Sequence, residues 1–328
     1  MAEIPLVLGF DLGGTKMLAA VVGGDFSVRG RAKQKTGTER GNDAVFAGIV
    51  DTIEQAITNA GCGLSDIAGV GIACPGPIDM RAGVVLETPN LDLRDFALRD
   101  RLTKKLGVPV VLENDVNAGV YGEYVAGAGR GFRHIVGLFP GTGIGGGLIL
   151  DGKLYRGARG GAGEIGHMVV QVDGRRCGCG RFGCLEAVAS RSALAKDLVA
   201  LAANGEAPII REKAGTDFLA IKSGTIAKAM EAGEAAVTEL VMRSARFLGI
   251  GMGNCVNVFD PELIILGGGM VERFGTQYLA VATESMRETG MKRMVEHVKV
   301  KAAELGDDAA VIGAAALLRE SFARESSR

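Results

Sequence analysis

The chain has 328 residues, so at roughly 150 residues per domain it holds about two domains, each large enough for its own core. Its 37 Lys+Arg against 38 Asp+Glu leave a net charge of -1, which argues against a polyanion partner, because binding one takes surplus basic charge. Hydrophobic residues at 47% exclude a disordered chain, and 51 glycines without a G-x-y period exclude collagen.

Leu6 to Phe10 reads as a buried strand, and Met17 to Val22 as a second after a glycine turn. No secretory signal is expected, since the first apolar stretch follows Glu3 and runs into Asp11. Val45, Phe46, Ile49, Val50, Ile53 and Ile57 recur at helical spacing and predict a helix over 43–60, stopped by Gly61. Residues 70–73 read as a short strand ending at the rigid turn Cys74-Pro75-Gly76-Pro77. A helix over 95–106 follows, then a strand over 108–112 that delivers Glu113-Asn114-Asp115 at its end. Strands alternating with helices predict an α/β sheet whose ligands gather beyond the strands' carboxyl ends.

A second cycle opens at Ile135 to Phe139, turns through 140–147 and returns over 148–150. No membrane span is expected, because this longest uncharged stretch is cut by Pro140 and a run of glycines. The cycle echoes the first: Leu8-Gly9-Phe10-Asp11-Leu12-Gly13-Gly14-Thr15 against Leu138-Phe139-Pro140-Gly141-Thr142-Gly143-Ile144-Gly145. The echo reads as a remote duplication, two similar domains each lending one turn to a shared cleft. Residues 151–186 have little regular pattern and read as a functional insert; 190–250 read as Ala-rich helix. A strand over 262–266 ends in Gly267-Gly268-Gly269, and Asp307-Asp308 open a last apolar helix over 309–318. The polar tail, 320–328, is expected to fray.

Asp11-Leu12-Gly13-Gly14-Thr15-Lys16 lies between two apolar strands. Paired glycines let backbone N–H groups approach an anion, Thr15 adds a hydroxyl, and Asp11 can hold a hydrated Mg²⁺ beside phosphates. It is not a Walker A loop, since Thr15-Lys16 replaces Lys-[Ser/Thr] and a strand follows where that motif needs a helix. Gly141-Thr142-Gly143-Ile144-Gly145-Gly146 matches G-x-G-x-x-G literally, but it too leads into a strand, so it reads as a second phosphate turn rather than a dinucleotide fingerprint. Gly267 to Gly269 is either a flat seat for an adenosine or a plain strand-to-helix turn.

Six cysteines are too sparse for a disulfide scaffold. Cys177, Cys179 and Cys184 crowd one loop, and His167 supplies a fourth ligand for a tetrahedral, structural Zn²⁺ in a reducing cytoplasm. That metal would fix Glu164 just before the cysteines and Glu186 just after, carboxylates suited to a polyol's hydroxyls. A hydroxyl attacking a γ-phosphoryl group needs a carboxylate to accept its proton, and Asp115 is the choice, with Asn114 as a substrate contact. A strand-end Asn-Asp is also ordinarily just a turn or cap.

These motifs, in this order, resemble the ROK family of bacterial sugar kinases, within the actin/hexokinase-like ATPase superfamily. The resemblance rests on Asp11 to Lys16, Pro75-Gly76-Pro77, Glu113-Asn114-Asp115, Gly141-Thr142-Gly143, Glu164-x-Gly-His167 and Cys177-x-Cys179-Gly-x-x-Gly-Cys184-x-Glu186. It implies two RNase-H-like α/β domains flanking a cleft, here 1–115 with 308–328 and 116–307, the last helix returning to the first domain. It also implies Asp115 as base, and Gly76, Asn90, Asn114, Glu164, His167 and Glu186 on the sugar. ATP and Mg²⁺ would meet Asp11, Gly13, Gly14, Thr15, Lys16, Gly141, Thr142, Gly143, Gly268 and Gly269. His167, Cys177, Cys179 and Cys184 would hold zinc. Glucose is the expected substrate; N-acetylglucosamine, N-acetylmannosamine and fructose kinases, or a sugar sensor without catalysis, are the alternatives. A cytoplasmic homodimer is expected. The family also contains repressors with an N-terminal winged helix, but the first phosphate turn begins at Asp11, so DNA binding is not expected.

Overall fold

Strand β1 (Leu6–Leu12) is apolar on both faces because a helix covers each. Leu8, Phe10 and Leu12 pack with Val45, Ile49 and Ile53 of helix α1 (Asn42–Asn59). Val7 on the other face packs with Val311, Ala315 and Leu318. A computed structural model describes residues 5–37, 41–88 and 91–326 of the chain.

The remaining elements follow in order. Strands β2 (Lys16–Val22) and β3 (Val28–Lys35) precede α1, and β4 (Ile67–Cys74) follows it. A small sheet of β5 (Ile78–Asp79), β6 (Val84–Thr88) and β7 (Leu93–Phe96) leads to α2 (Leu98–Leu106), β8 (Val110–Asn114) and α3 (Asp115–Ala126). Next come β9 (Ile135–Pro140), β10 (Ile144–Leu150) and β11 (Lys153–Leu154). Five helices follow: α4 (Leu185–Ala189), α5 (Arg191–Ala203), α6 (Pro208–Ala214), α7 (Ser223–Glu231) and α8 (Ala235–Phe259). The chain ends through β12 (Leu263–Leu266), α9 (Gly269–Thr289), α10 (Lys292–Val295), β13 (Lys299–Ala302) and α11 (Asp308–Ser326).

The chain divides into two units, one of Met1–Gly131, Arg156–Gly161 and Glu304–Arg328, the other of Phe132–Tyr155 and Ala162–Ala303. Their sheets share one topology. The first runs β3-β2-β1-β4-β8 and the second β11-β10-β9-β12-β13. In each, three antiparallel strands are extended by two parallel ones. That match is the RNase-H-like arrangement and the duplication that the repeated glycine turn pointed to.

Three differences from expectation have physical causes. The sequence boundary fell after Asp115, but α3 groups with the first unit because it packs along α11. Helix α11 continues past Leu318 to Ser326, since Phe322 still packs on Val7 and Leu318 and Arg324 pairs with Glu320 one turn earlier. Strand β3 escaped notice because it is an edge strand rich in charge, with Arg29, Arg31, Lys33 and Lys35.

Four glycines serve the close packing of helix α11. A Cβ on Gly9 would strike the Val311 carbonyl, one on Gly71 the Ala314 carbonyl, and one on Gly122 the Ala309 carbonyl. From the helix side, Gly313 meets the Ala118 carbonyl in the same way. The helix therefore lies on the sheet and on α3 at backbone distance. Re-entry of the chain is fixed by Glu123, fully buried, whose carboxylate accepts the N–H groups of Ala128, Glu304 and Leu305 at 2.9, 2.9 and 2.8 Å. No helix among the described residues is long and apolar enough to cross a membrane.

Gly9→Ala should lower the stability of the first unit by about 1–3 kcal/mol or more, because rigid backbone on both sides must part. Urea unfolding followed by circular dichroism measures it; a change under about 0.5 kcal/mol would mean the helix rides higher on the sheet than described.

Candidate active site

The first unit presents its chemistry at the carboxyl ends of three parallel strands. Asp11 of β1 stands beside Ala73 of β4, which stands beside Glu113 of β8, and Cys74 is paired with Asn114. At ~4.8 Å per strand, Asp11 and the Asn114–Asp115 corner share one edge two strands apart. Asp11 is densely surrounded, although part of its surface meets solvent. That crowding, then the charge of Asp115 and that of Asp307, push its carboxyl up to about 7 against the pull of Lys16.

Asp115 is the first residue of helix α3 rather than the last of a strand. Asn114 caps that helix, its Oδ1 accepting the N–H groups of Val116 and Asn117 at 3.0 and 3.1 Å. Its Nδ2 donates to Asp115 Oδ1 at 3.0 Å, and the Val116 N–H reaches the same oxygen at 2.9 Å. The Asn thus does what a strand-end Asn ordinarily does, and it also orients the carboxylate. One of its two Nδ2 hydrogens is spent in that contact. Gly76 sits alongside: a Cβ there would stand 3.8 Å from Asn114 Nδ2. Asn90 lies outside the described residues.

The turn between β1 and β2 closes on itself. Gly13 N–H donates to the Lys16 carbonyl at 2.9 Å, and a Cβ on Gly13 would come within 2.7 Å of that oxygen. Thr36, which the sequence did not single out, pins the turn, donating from Oγ1 to Gly13 O at 2.7 Å and from its N–H to Thr15 O at 3.1 Å. Lys16 Nζ is paired with Asp307, which also accepts from Lys33 Nζ at 2.8 Å. These two lysines hold the Asp307 carboxyl below the usual range.

In the second unit the turns 141–143 and 267–269 follow the adjacent parallel strands β9 and β12. Gly267 N–H donates to Leu138 O at 3.0 Å, and Gly268, at φ 81°, could not carry a Cβ without crowding the Pro140 carbonyl. Gly269 opens α9 with nothing over its Cα. The first of these turns is anchored by Arg191, another residue with no local sequence signal. Its guanidinium donates to Thr142 Oγ1 at 2.5 Å and to Ile221 O at 2.9 Å, and its N–H to Gly141 O at 2.9 Å.

Glu186 ties that turn to the cysteines. Its Oε2 accepts the Ile144 N–H at 3.0 Å, while the Cys177 thiol lies 3.6 Å from Oε1. A Cβ on Gly143 would collide with Glu186 Oε2, so a larger residue there would displace that carboxylate. His167, Cys177, Cys179 and Cys184 place one ligand atom each within 4.8 Å of all the others. Cys177 Sγ is 3.6 Å from His167 Nδ1, and Cys179 Sγ is 3.7 Å from Cys184 Sγ. A tetrahedron with bonds of about 2.3 Å to sulfur and about 2.0 Å to nitrogen has edges of about 3.5–3.8 Å, so the donor set fits a zinc-sized ion. The other ring nitrogen, Nε2, faces Glu164 Oε2 at 3.9 Å. One imidazole can therefore serve a metal on one side and a carboxylate or hydroxyl on the other.

The family model for the ROK family matches residues 7–321. The chain belongs to the ROK family. It is 36% identical to a glucokinase of Streptomyces coelicolor over 326 residues, covering 96% of this chain and 98% of that one. A solved ROK-family glucokinase from Streptomyces griseus, in complex with glucose and AMPPNP, superposes with a TM-score of 0.82 at 34% identity, covering 96% of this chain and 99% of that one. A xylose repressor of Caldicellulosiruptor bescii is 30% identical over 318 residues, 96% of this chain and 78% of the repressor. The ROK fold thus accounts for the paired sheets, and its known members include both kinases and regulators.

The raised Asp11 carboxyl predicts a pH effect. Folded chain keeps the Asp11 proton up to about 7 whereas unfolded chain releases it near 3.8, so stability falls as pH rises across that window. In protein free of nucleotide and divalent cation, Asp11→Asn should gain melting temperature over wild type as pH rises from about 5 to about 8. A difference that stays flat over that range would refute the crowding described for Asp11.

Proposed function

We propose that this ROK-family chain is an ATP-dependent kinase that phosphorylates the primary hydroxyl of a hexose, with glucose the favoured substrate. The observation that carries the reading is the pairing of two carboxylates at one sheet edge. Asp11 is held protonated or in need of a cation, and Asp115 is oriented by the cap of α3. The similarity to glucokinases over almost the whole chain supports the substrate.

In this reading Asp115 accepts the proton of the attacking sugar hydroxyl as the bond to the γ-phosphorus forms. Glu164 and Glu186 accept hydrogen bonds from the other hydroxyls, His167 donates one from Nε2–H, and Asn114 Nδ2 adds a donor beside Gly76. The turns at Gly13 to Thr15 and Gly141 to Gly143 receive the phosphates through backbone N–H groups other than those of Gly13 and Gly141, which close the turns themselves, and the turn at Gly268 and Gly269 lies beside the nucleotide. Asp11 would hold Mg²⁺, whose charge neutralises the phosphate oxygens when bound. Zinc at His167, Cys177, Cys179 and Cys184 would hold the loop that carries Glu164 and Glu186 at fixed spacing. The family resemblance supports a homodimer at work in the cytoplasm.

A second reading, a sugar sensor without catalysis, draws on the similarity to the xylose repressor. ADP release coupled to NADH oxidation separates the two. Glucose should give the highest turnover among glucose, N-acetylglucosamine, N-acetylmannosamine, mannose, fructose and allose, and ADP release with none of them would establish the sensor. Asp115→Asn should cut kcat at least a hundredfold (about 2.7 kcal/mol or more) with sugar affinity within about twofold. A variant that keeps a tenth of the activity refutes the base.

Metal removal tests the role of the cysteines. A thiol-competitive chelator should expose the loop over 164–186 to protease and weaken sugar binding at least tenfold, about 1.4 kcal/mol, with zinc restoring both. Unchanged sugar affinity in metal-stripped protein would remove the organising role.

A further inference from the structure

We propose that the ion pair of buried Glu113 with half-buried Arg156 is a positioning device for Asp115, a claim that rests on Asp115 being the base. Glu113 is only 2% exposed, and both its oxygens are in use. Oε2 accepts from Arg156 Nε at 2.6 Å. Oε1 accepts the Asn114 N–H at 3.0 Å and Asn117 Nδ2 at 3.1 Å. One carboxylate therefore holds the residue before Asp115 and the residue two beyond it.

The grip is placed where it matters. Asn114 is the N-cap of α3 and a side-chain donor to Asp115 Oδ1, so moving its backbone moves a group that orients the base. Asn117 is buried on the first turn of the same helix, its N–H on Asn114 Oδ1, and its amide Nδ2 has Glu113 as its acceptor. With Glu113 fixed, the strand-to-helix corner has a single geometry. With Glu113 unpaired, a buried charge would seek solvent and pull the corner with it.

Arg156 is what keeps Glu113 in place, and its origin in the chain is unusual. It begins Arg156–Gly161, a short excursion that groups with the first unit between two stretches of the second. The pair spans 43 residues of sequence, and no local motif announces it. Guanidinium geometry matters here. The Nε–H meets the carboxylate from the side, a direction that the ammonium of Lys cannot reproduce with the same planarity. Neither residue touches the reacting atoms in this scheme; both act through Asp115.

A double-mutant cycle with kinetics tests the assignment. Arg156→Lys, Glu113→Gln and Asp115→Asn are made singly, and Arg156→Lys is combined with Asp115→Asn. Each kcat is divided by the number of sugar sites counted by titration calorimetry, so that misfolded protein drops out. Arg156→Lys and Glu113→Gln should each lower kcat per site at least tenfold with sugar KM within about threefold. In the Asp115→Asn background, Arg156→Lys should lower the residual kcat by less than twofold, because nothing is left to position. A full tenfold loss in that background would show a general structural effect and overturn the proposal. So would single variants with kcat per site within twofold of wild type while Asp115→Asn is inactive. If Asp115→Asn itself keeps a tenth of the activity, the base assignment fails, and the positioning claim falls with it for that separate reason.

Discussion

Two like charges at the end of one sheet set the terms for the first unit. Asp11 sits on β1 and Asp115 opens the helix that follows β8, two strands away, in surroundings crowded enough to raise Asp11 to about 7. Such an edge is unstable until a proton, a cation or a reacting hydroxyl relieves it. The neighbouring contacts limit how it can relax. Lys16 is engaged by Asp307, Asp115 is tethered by its own helix cap, and the glycine turn is pinned by Thr36. Relief from inside the protein is thus restricted, which leaves the edge poised for ligands that bring positive charge or a transferable proton.

The second unit solves a different problem, holding carboxylates still without a strand beneath them. Its loop over 164–186 has two 3₁₀ or helical turns at its ends and isolated bridges between, so backbone pairing alone is a weak scaffold. Four convergent side chains that could ligate a metal stand where that scaffold is weak, and Glu186 links them to the Ile144 N–H of the glycine turn. The same carboxylate occupies the space that a side chain on Gly143 would take. Charge, metal geometry and backbone conformation meet in one side chain.

The sequence revealed the turns, the cysteine cluster and the residues that carry them because each is a local chemical signature. Paired glycines announce anion turns, and three cysteines beside a histidine announce a metal, without any knowledge of what lies across the fold. It did not reveal Thr36, Arg156 or Arg191, nor the pairing of Asp307 with Lys16 and Lys33, because these polar residues acquire meaning from partners far along the chain. Helix α3 was missed for another reason. It packs along α11 with most of its middle turns buried, so it lacks a polar stripe, and Gly119 and Gly122 weaken its helical pattern. Asn114 did carry a usable signal, since an Asn before such a run is a common helix start. Asn90 falls outside the described residues, so the fold does not bear on it.

Helix α11 supplies one whole face of the first sheet, yet it is the last element of the chain. During synthesis, β1 and β4 leave the ribosome with Gly9 and Gly71 bare and their apolar neighbours uncovered on that side. More than half of the polypeptide must still be made before the helix arrives. The second unit, by contrast, is contiguous apart from one short excursion and can close first. Order of synthesis and order of closure are therefore reversed: the first unit waits for helix α11, and a chain cut short before it would leave an exposed sheet for chaperones to shield.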